Sequence, residues 1–137
     1  MPRTKHLSAA LLILAACSRE VPQICVPVLP GWSSEQTGKP AGALLANVVT
    51  LDGSNILWNG QPISEQTLTR YAGQMAGMNP IPFMILDPGK ASDCTFARHI
   101  RDVLDKELPC REGACWQGSK AAYERAPFKK QTGTGVP

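Results

Sequence analysis

The sequence has no apolar run long enough to cross a bilayer. Its longest, residues 7–16, spans ten positions, where a spanning helix needs about 20. Strong charge of either sign is also missing. The formal charge is +3, and it falls to +1 without Arg3 and Lys5. A balance that small gives no field to gather nucleic acid. The hydrolytic and phosphate motifs are absent: there is no G-x-S-x-G, no H-E-x-x-H and no glycine-rich phosphate loop. No C-x-x-C redox pair and no internal repeat occurs. Beyond the apolar run the one histidine is His99, with no nucleophile at a readable spacing. It reads as a partly exposed helix residue. These absences predict a protein that is not an enzyme and uses no cofactor and no metal.

The short apolar run is informative for what surrounds it. Arg3 and Lys5 precede it, small residues end it, and Cys17 follows. That is the layout of an export signal. The end, "LAAC" at residues 14–17, resembles a bacterial lipobox. The resemblance implies removal of residues 1–16 and lipid attachment, palmitate included, at Cys17. The alternative is an ordinary signal peptide cleaved after Ala16, with Cys17 a disulfide partner. Cysteine arithmetic favours the lipid. The chain has five cysteines, and setting Cys17 aside leaves Cys25, Cys94, Cys110 and Cys115. An even set suits two disulfides in an oxidising compartment. Pairings Cys110–Cys115 and Cys25–Cys94 are preferred, with the other two connectivities open. Spacings of 69, 16 and 5 positions do not match the close cysteine pairs of structural zinc sites. The location implied is the periplasm, lipid-anchored. Ser18, in place of the Asp that retains such lipoproteins at the inner membrane, favours the outer membrane.

Residues 17–42 are rich in Pro, Gly and Ser without helical period and read as a tether, part of it laid on the domain. There residues 26–29 are candidates for edge pairing and Trp32 for docking in a groove. Residues 43–51 are β-branched and read as a strand, Asp52-Gly53 as a turn, and residues 56–58 as the return strand. Asn59-Gly60 is a second tight turn, and residues 61–63 lead into a helix. Ser64 is a good N-cap, and Ile63 with Leu68 forms a hydrophobic staple. Leu68, Tyr71, Ala72 and Met75 share one face of a helix over residues 64–76. Residues 83–86 suit a buried strand, and Asp87-Pro88-Gly89 a turn. A second helix starts near Ser92 and ends before Pro109. Its apolar face holds Phe96, Ala97, Ile100, Val103 and Leu104. Its wet face holds Arg98, Arg101, Asp102, Asp105 and Lys106. Residues 114–117 are a candidate last strand. Residues 118–137 read as a disordered basic tail. Its Lys120, Arg125, Lys129 and Lys130 face solvent, with anionic lipid or cell wall as the alternative partner. The order β-β-α-β-α(-β) predicts an α+β fold, a small two-layer sandwich with two helices on one face of a small sheet. Its domain spans residues 43–117.

Two stretches carry a family resemblance. "VVTLDGSNILWNGQPISEQTLTRYAGQM" and "IPFMILDPGKASDCTFARHIRDVLD" resemble the periplasmic domain of the ExbD/TolR family. The matching positions are Asn59, Gly60, Ser64, Leu68, Asp87, Val103, Leu104 and Asp105, within residues 48–108. The resemblance implies an accessory of a Ton- or Tol-type system for envelope energy transduction or transport. It also implies contact with an envelope protein or peptidoglycan, and pairing of two copies. The family's transmembrane helix with its essential aspartate is absent, and no acidic residue precedes Cys17. Proton coupling therefore does not carry over.

Asp87 and Trp58 are the candidate partner-binding residues. Each has a plainer reading, Asp87 as a turn and capping residue and Trp58, like Trp116, as packing. A competing function is a secreted disulfide-bonded inhibitor of the lysozyme-inhibitor type. Such proteins are mostly β, and two amphipathic helices argue against it.

Overall fold

Alternation along three strands sorts the apolar side chains onto two faces of one sheet. The computed structural model describes residues 26–40 and 45–129. The strands are β1 (Ala46–Gly53), β2 (Asn55–Trp58), β3 (Gln61–Ile63), β4 (Phe83–Ala91) and β5 (Cys115–Gln117). The helices are α1 (Glu65–Ala76), α2 (Cys94–Glu107) and α3 (Lys120–Arg125), with a 3-10 turn at Cys110–Glu112. The sheet order is β3-β2-β1-β4-β5. β1 pairs antiparallel with β2 and parallel with β4, which pairs parallel with β5. The fold is α+β, as the order of elements predicted.

Val49, Leu51, Ile56, Met84, Leu86 and Cys115 point to one face and meet Leu68, Ala72 and Met75 of α1 and Ala97, Ile100 and Leu104 of α2. Both long helices therefore cover the same face. The intervening residues Val48, Phe83, Ile85 and Trp116 point to the other face.

Local chemistry sets the first helix. The Ser64 side chain accepts the Thr67 amide at 3.1 Å, satisfying one amide that the helix leaves without a partner. Ser64→Ala is expected to lower the unfolding free energy by about 1 kcal/mol, read as a reduced denaturant midpoint with an unchanged slope. Asn59 (φ 49°) and Gly60 (φ 85°) form the two-residue turn joining β2 to β3, the left-handed pair that such a hairpin needs.

The structure departs from the sequence reading in five places. Residues 61–63 are not a lead-in; they are β3, an edge strand whose Pro62 needs no partner on its open side. Asp87-Pro88-Gly89 is not a free turn. It lies inside β4, which stays paired to β1 through Lys90 and Ala91 past a register shift.

Arg101 does not face water; it is 6% exposed. Its Nη1 donates to the Pro27 carbonyl at 2.7 Å, and Nε and Nη2 both donate to Asp102.

The largest correction concerns the tail, since residues 118–129 are folded. Ser119 caps α3, and Ala122 and Ala126 are buried. Tyr123 lies 5.3 Å from Trp116 and 5.5 Å from Phe83, ring to ring. The second face carries a tryptophan, and leaving it wet would forfeit its burial. So α3 adds a partial third layer. Burial also raises the Tyr123 phenol above the ordinary tyrosine range. Residues 130–137 lie outside the described residues.

Residues 26–40, the described part of the stretch read as a tether, form a strap over the open edge of β5. The Ser33 amide donates to the Cys115 carbonyl, and the Ser33 carbonyl accepts from the Gln117 amide, both at 2.9 Å. Edge pairing occurs here, not at residues 26–29. Trp32 is buried, and its Nε1 donates to Asp105 at 2.9 Å. A Cβ on Gly31 (φ 85°) would collide with the backbone of Arg111, so the strap lies flat only with glycine there.

The expected Cys110–Cys115 disulfide is present. Cys94 is disulfide-bonded as well, while its expected partner, Cys25, lies outside the described residues, as does Cys17. No helix among the described residues is long and apolar enough to cross a membrane.

Candidate functional site

β4 and β5 are adjacent parallel strands, and the chain leaves them for opposite faces of the sheet. β4 leads to α2 on the first face, and β5 leads to α3 on the second. When neighbouring parallel strands diverge in this way, a crevice opens beyond their carboxyl ends. The cleft found there has a volume of about 550 Å³, within the range of small-ligand sites. Its floor is the second half of β4 at Asp87, Pro88 and Gly89 and the end of β5 at Gln117 with the following Gly118. The Gly118 amide ties the two ends together through the Leu86 carbonyl at 2.8 Å. The starts of α2 and α3 form two walls, and the strap, through Val26, Val28, Ser34, Glu35 and Gln36, forms the third.

Three carboxylates border the cleft: Glu35, Asp87 and Asp93. Asp87 accepts the Gly89 amide at 3.0 Å, and Asp93 caps α2 by accepting the Phe96 amide at 2.7 Å. None of the three is in an ion pair with a described residue, and no described Lys, Arg or His lines the cleft. The carboxylates are spread out. No group of three His, Cys, Asp or Glu among the described residues could hold a metal ion.

Gln117 is 8% exposed. Its Nε2 donates to the Val26 carbonyl at 2.6 Å, while its Oε1 has no hydrogen-bond partner. A buried carbonyl left unpaired costs about 1–3 kcal/mol. Ser33 Oγ and Trp116 Nε1 are unpartnered too, but neither residue lines the cleft.

Asp87 makes a local bond to the Gly89 amide within β4 and also borders the cleft. Trp58 does not join it. Trp58 lies on β2, separated from β4 by β1, and packs edge-to-face on Tyr71 of α1 at 5.3 Å. His99 is also remote. Its Nε2 sits 2.8 Å from Glu65 Oε1, bridging α2 to α1 on the surface, a pair worth at most about 1 kcal/mol. Lys120 pairs with Glu124 one turn on in α3.

Sequence reasoning missed Glu35, Gln36 and Gln117 as site residues. Glu35 and Gln36 lie in a stretch with no period, and Gln117 ends a three-residue strand, so no local pattern marks them. No family model, curated protein or solved structure matches the chain.

Proposed function

We propose that this chain is a lipid-anchored periplasmic interaction module that binds an envelope partner through the cleft beyond β4 and β5. The resemblance in residues 48–108 supports a role beside a Ton- or Tol-type machine, with peptidoglycan or a protein of that machine as partner. The observation that carries the proposal is the cleft itself: it opens where two neighbouring parallel strands diverge and is bordered by three carboxylates without an ion-pair partner among the described residues. The Cys110–Cys115 disulfide suits an oxidising compartment. Acylation at Cys17 would hold the domain near the bilayer. Nine residue steps separate Cys17 from Val26, a reach of at most about 30 Å.

The test is retention of the purified full chain, with disulfides formed, on purified peptidoglycan and, separately, crosslinking to Ton- or Tol-type proteins in membranes. Retention or a specific crosslink is the expected result. Absence of both, together with inhibition of lysozyme by the same preparation, would replace this reading with the inhibitor.

A further inference from the structure

The segment after α3 builds a second surface, together with residues far away in sequence. Lys39 of the strap pairs with Phe128: its amide donates to the Pro127 carbonyl and its carbonyl accepts the Lys129 amide, both at 2.9 Å. The Lys39 Nζ donates to the Glu124 carbonyl at 3.2 Å and lies 4.9 Å from the centre of the Phe128 ring. Phe128 is thus fixed by backbone bonds on both flanks, yet it is 62% exposed. Arg125 and Lys129 are exposed on either side of it in the chain and have no ion-pair partner among the described residues. Glu124 is paired with Lys120, and no acidic residue occurs in residues 36–51 or 126–137. The patch combines unanswered positive charge with an exposed aromatic ring.

A lone exposed ring is ordinary on a protein surface; the charge beside it selects the partner. An anionic cell-wall glycan would meet the cations and leave the ring in water. An apolar protein groove would take the ring and leave the cations unanswered. The surface of an anionic bilayer answers both, since basic side chains stay among the headgroups while an aromatic ring enters the boundary with the acyl chains. We infer that Lys39, Arg125, Phe128 and Lys129 form a contact for an anionic lipid bilayer and set which side of the domain faces the membrane. The inference rests on the lipid-anchored reading. Three basic groups attract a bilayer only weakly by themselves. An anchor at Cys17, a reach of at most about 30 Å from Val26, raises the local concentration of lipid enough for a weak contact to be occupied.

The experiment uses the full chain, processed in a bacterial envelope and reconstituted into vesicles with brominated acyl chains, which quench tryptophan only at the membrane. Phe128→Trp reports on the patch, and Gln74→Trp, exposed on α1, is the control. The emission of the wild-type tryptophans, Trp32, Trp58 and Trp116, is subtracted. In vesicles of phosphatidylethanolamine with phosphatidylglycerol, position 128 is expected to be quenched and blue-shifted, and position 74 to be neither. Phosphatidylcholine in place of phosphatidylglycerol, or raised salt, is expected to remove most of the effect. In the Phe128→Trp background, R125Q/K129Q is expected to weaken the contact at least about tenfold, with the melting temperature unchanged. Equal quenching in neutral and anionic vesicles, or at positions 128 and 74, would overturn the inference. So would retention on peptidoglycan that is lost in R125Q/K129Q while position 128 stays unquenched, which would give the patch to the cell wall. Mass spectrometry of the same preparation reports acylation. If Cys17 is bare, the anchor falls, and quenching with vesicles in excess still decides the patch. If position 128 is quenched while neither peptidoglycan nor a Ton- or Tol-type protein is bound, the inference holds and the choice of partner falls.

Discussion

Trp116→Ala is expected to lower the unfolding free energy by about 3–5 kcal/mol, the usual range for removing a fully buried aromatic. Trp116 has no exposed surface and forms the centre of the second face of the sheet. Its ring meets Tyr123 edge-on, and Tyr123 in turn stacks on Phe83. Those contacts are what hold a six-residue helix in place, because α3 is far too short to be stable alone. The variant should therefore do two things together. Thermal unfolding should move down by more than about 10 °C for a domain of this size, and amide exchange in α3 should lose its protection. Phe128→Ala is the control: Phe128 is 62% exposed, and its removal should change stability by less than about 0.5 kcal/mol. A small loss for Trp116→Ala would mean that the second face is not a packed core.

Cys17→Ser is expected to abolish incorporation of labelled palmitate and to move the protein from the membrane fraction to the soluble one. The expectation rests on the lipobox-like residues 14–17 and on the cysteine count. Cys110 and Cys115 satisfy one another, and Cys94 is disulfide-bonded. More than one acyl chain makes anchoring stable, since each buried methylene contributes about 0.8 kcal/mol. The loss should be all-or-none, and the domain should stay folded. Unchanged labelling in the variant would refute the anchor.

Strongly local signals were readable. Ser64 with the Leu68, Ala72, Met75 spacing gives α1, and Asn59-Gly60 gives the second hairpin turn. The apolar run at residues 83–86 gives the buried part of β4. What the sequence hid depends on contacts between distant residues. Arg101 sits on what hydropathy marks as the wet side of α2, yet its guanidinium meets Pro27, 74 positions away. Trp32 and Gln117 are fixed by partners 73 and 91 positions away. No window along the chain contains those pairs. The same holds for α3: six residues carry less than two helical turns of pattern, and its inner side is marked by Ala122, Tyr123 and the capping Ala126 alone among the described residues.

The candidate site was half readable. Asp87 stood out after the apolar run at residues 83–86, whereas Asp93 carried no site reading. Their meeting with Glu35 and Gln117 follows from topology. The strap closes one side of a gap that exists because α2 and α3 leave neighbouring strands in opposite directions. For Trp58 the structure shows the plainer of its two readings, packing against Tyr71.

The cleft beyond β4 and β5 is the proposed meeting place of this chain with an envelope partner. The most direct measurement places a photocrosslinking amino acid at Gln36, exposed on the cleft rim, and in a second variant at Gln74, exposed on α1. Both full-length variants are irradiated in intact cells. A discrete adduct with peptidoglycan or a Ton- or Tol-type protein is expected from position 36, absent from position 74 and weakened by E35Q/D87N. Adducts of equal strength from both positions, or none from position 36, would contradict it.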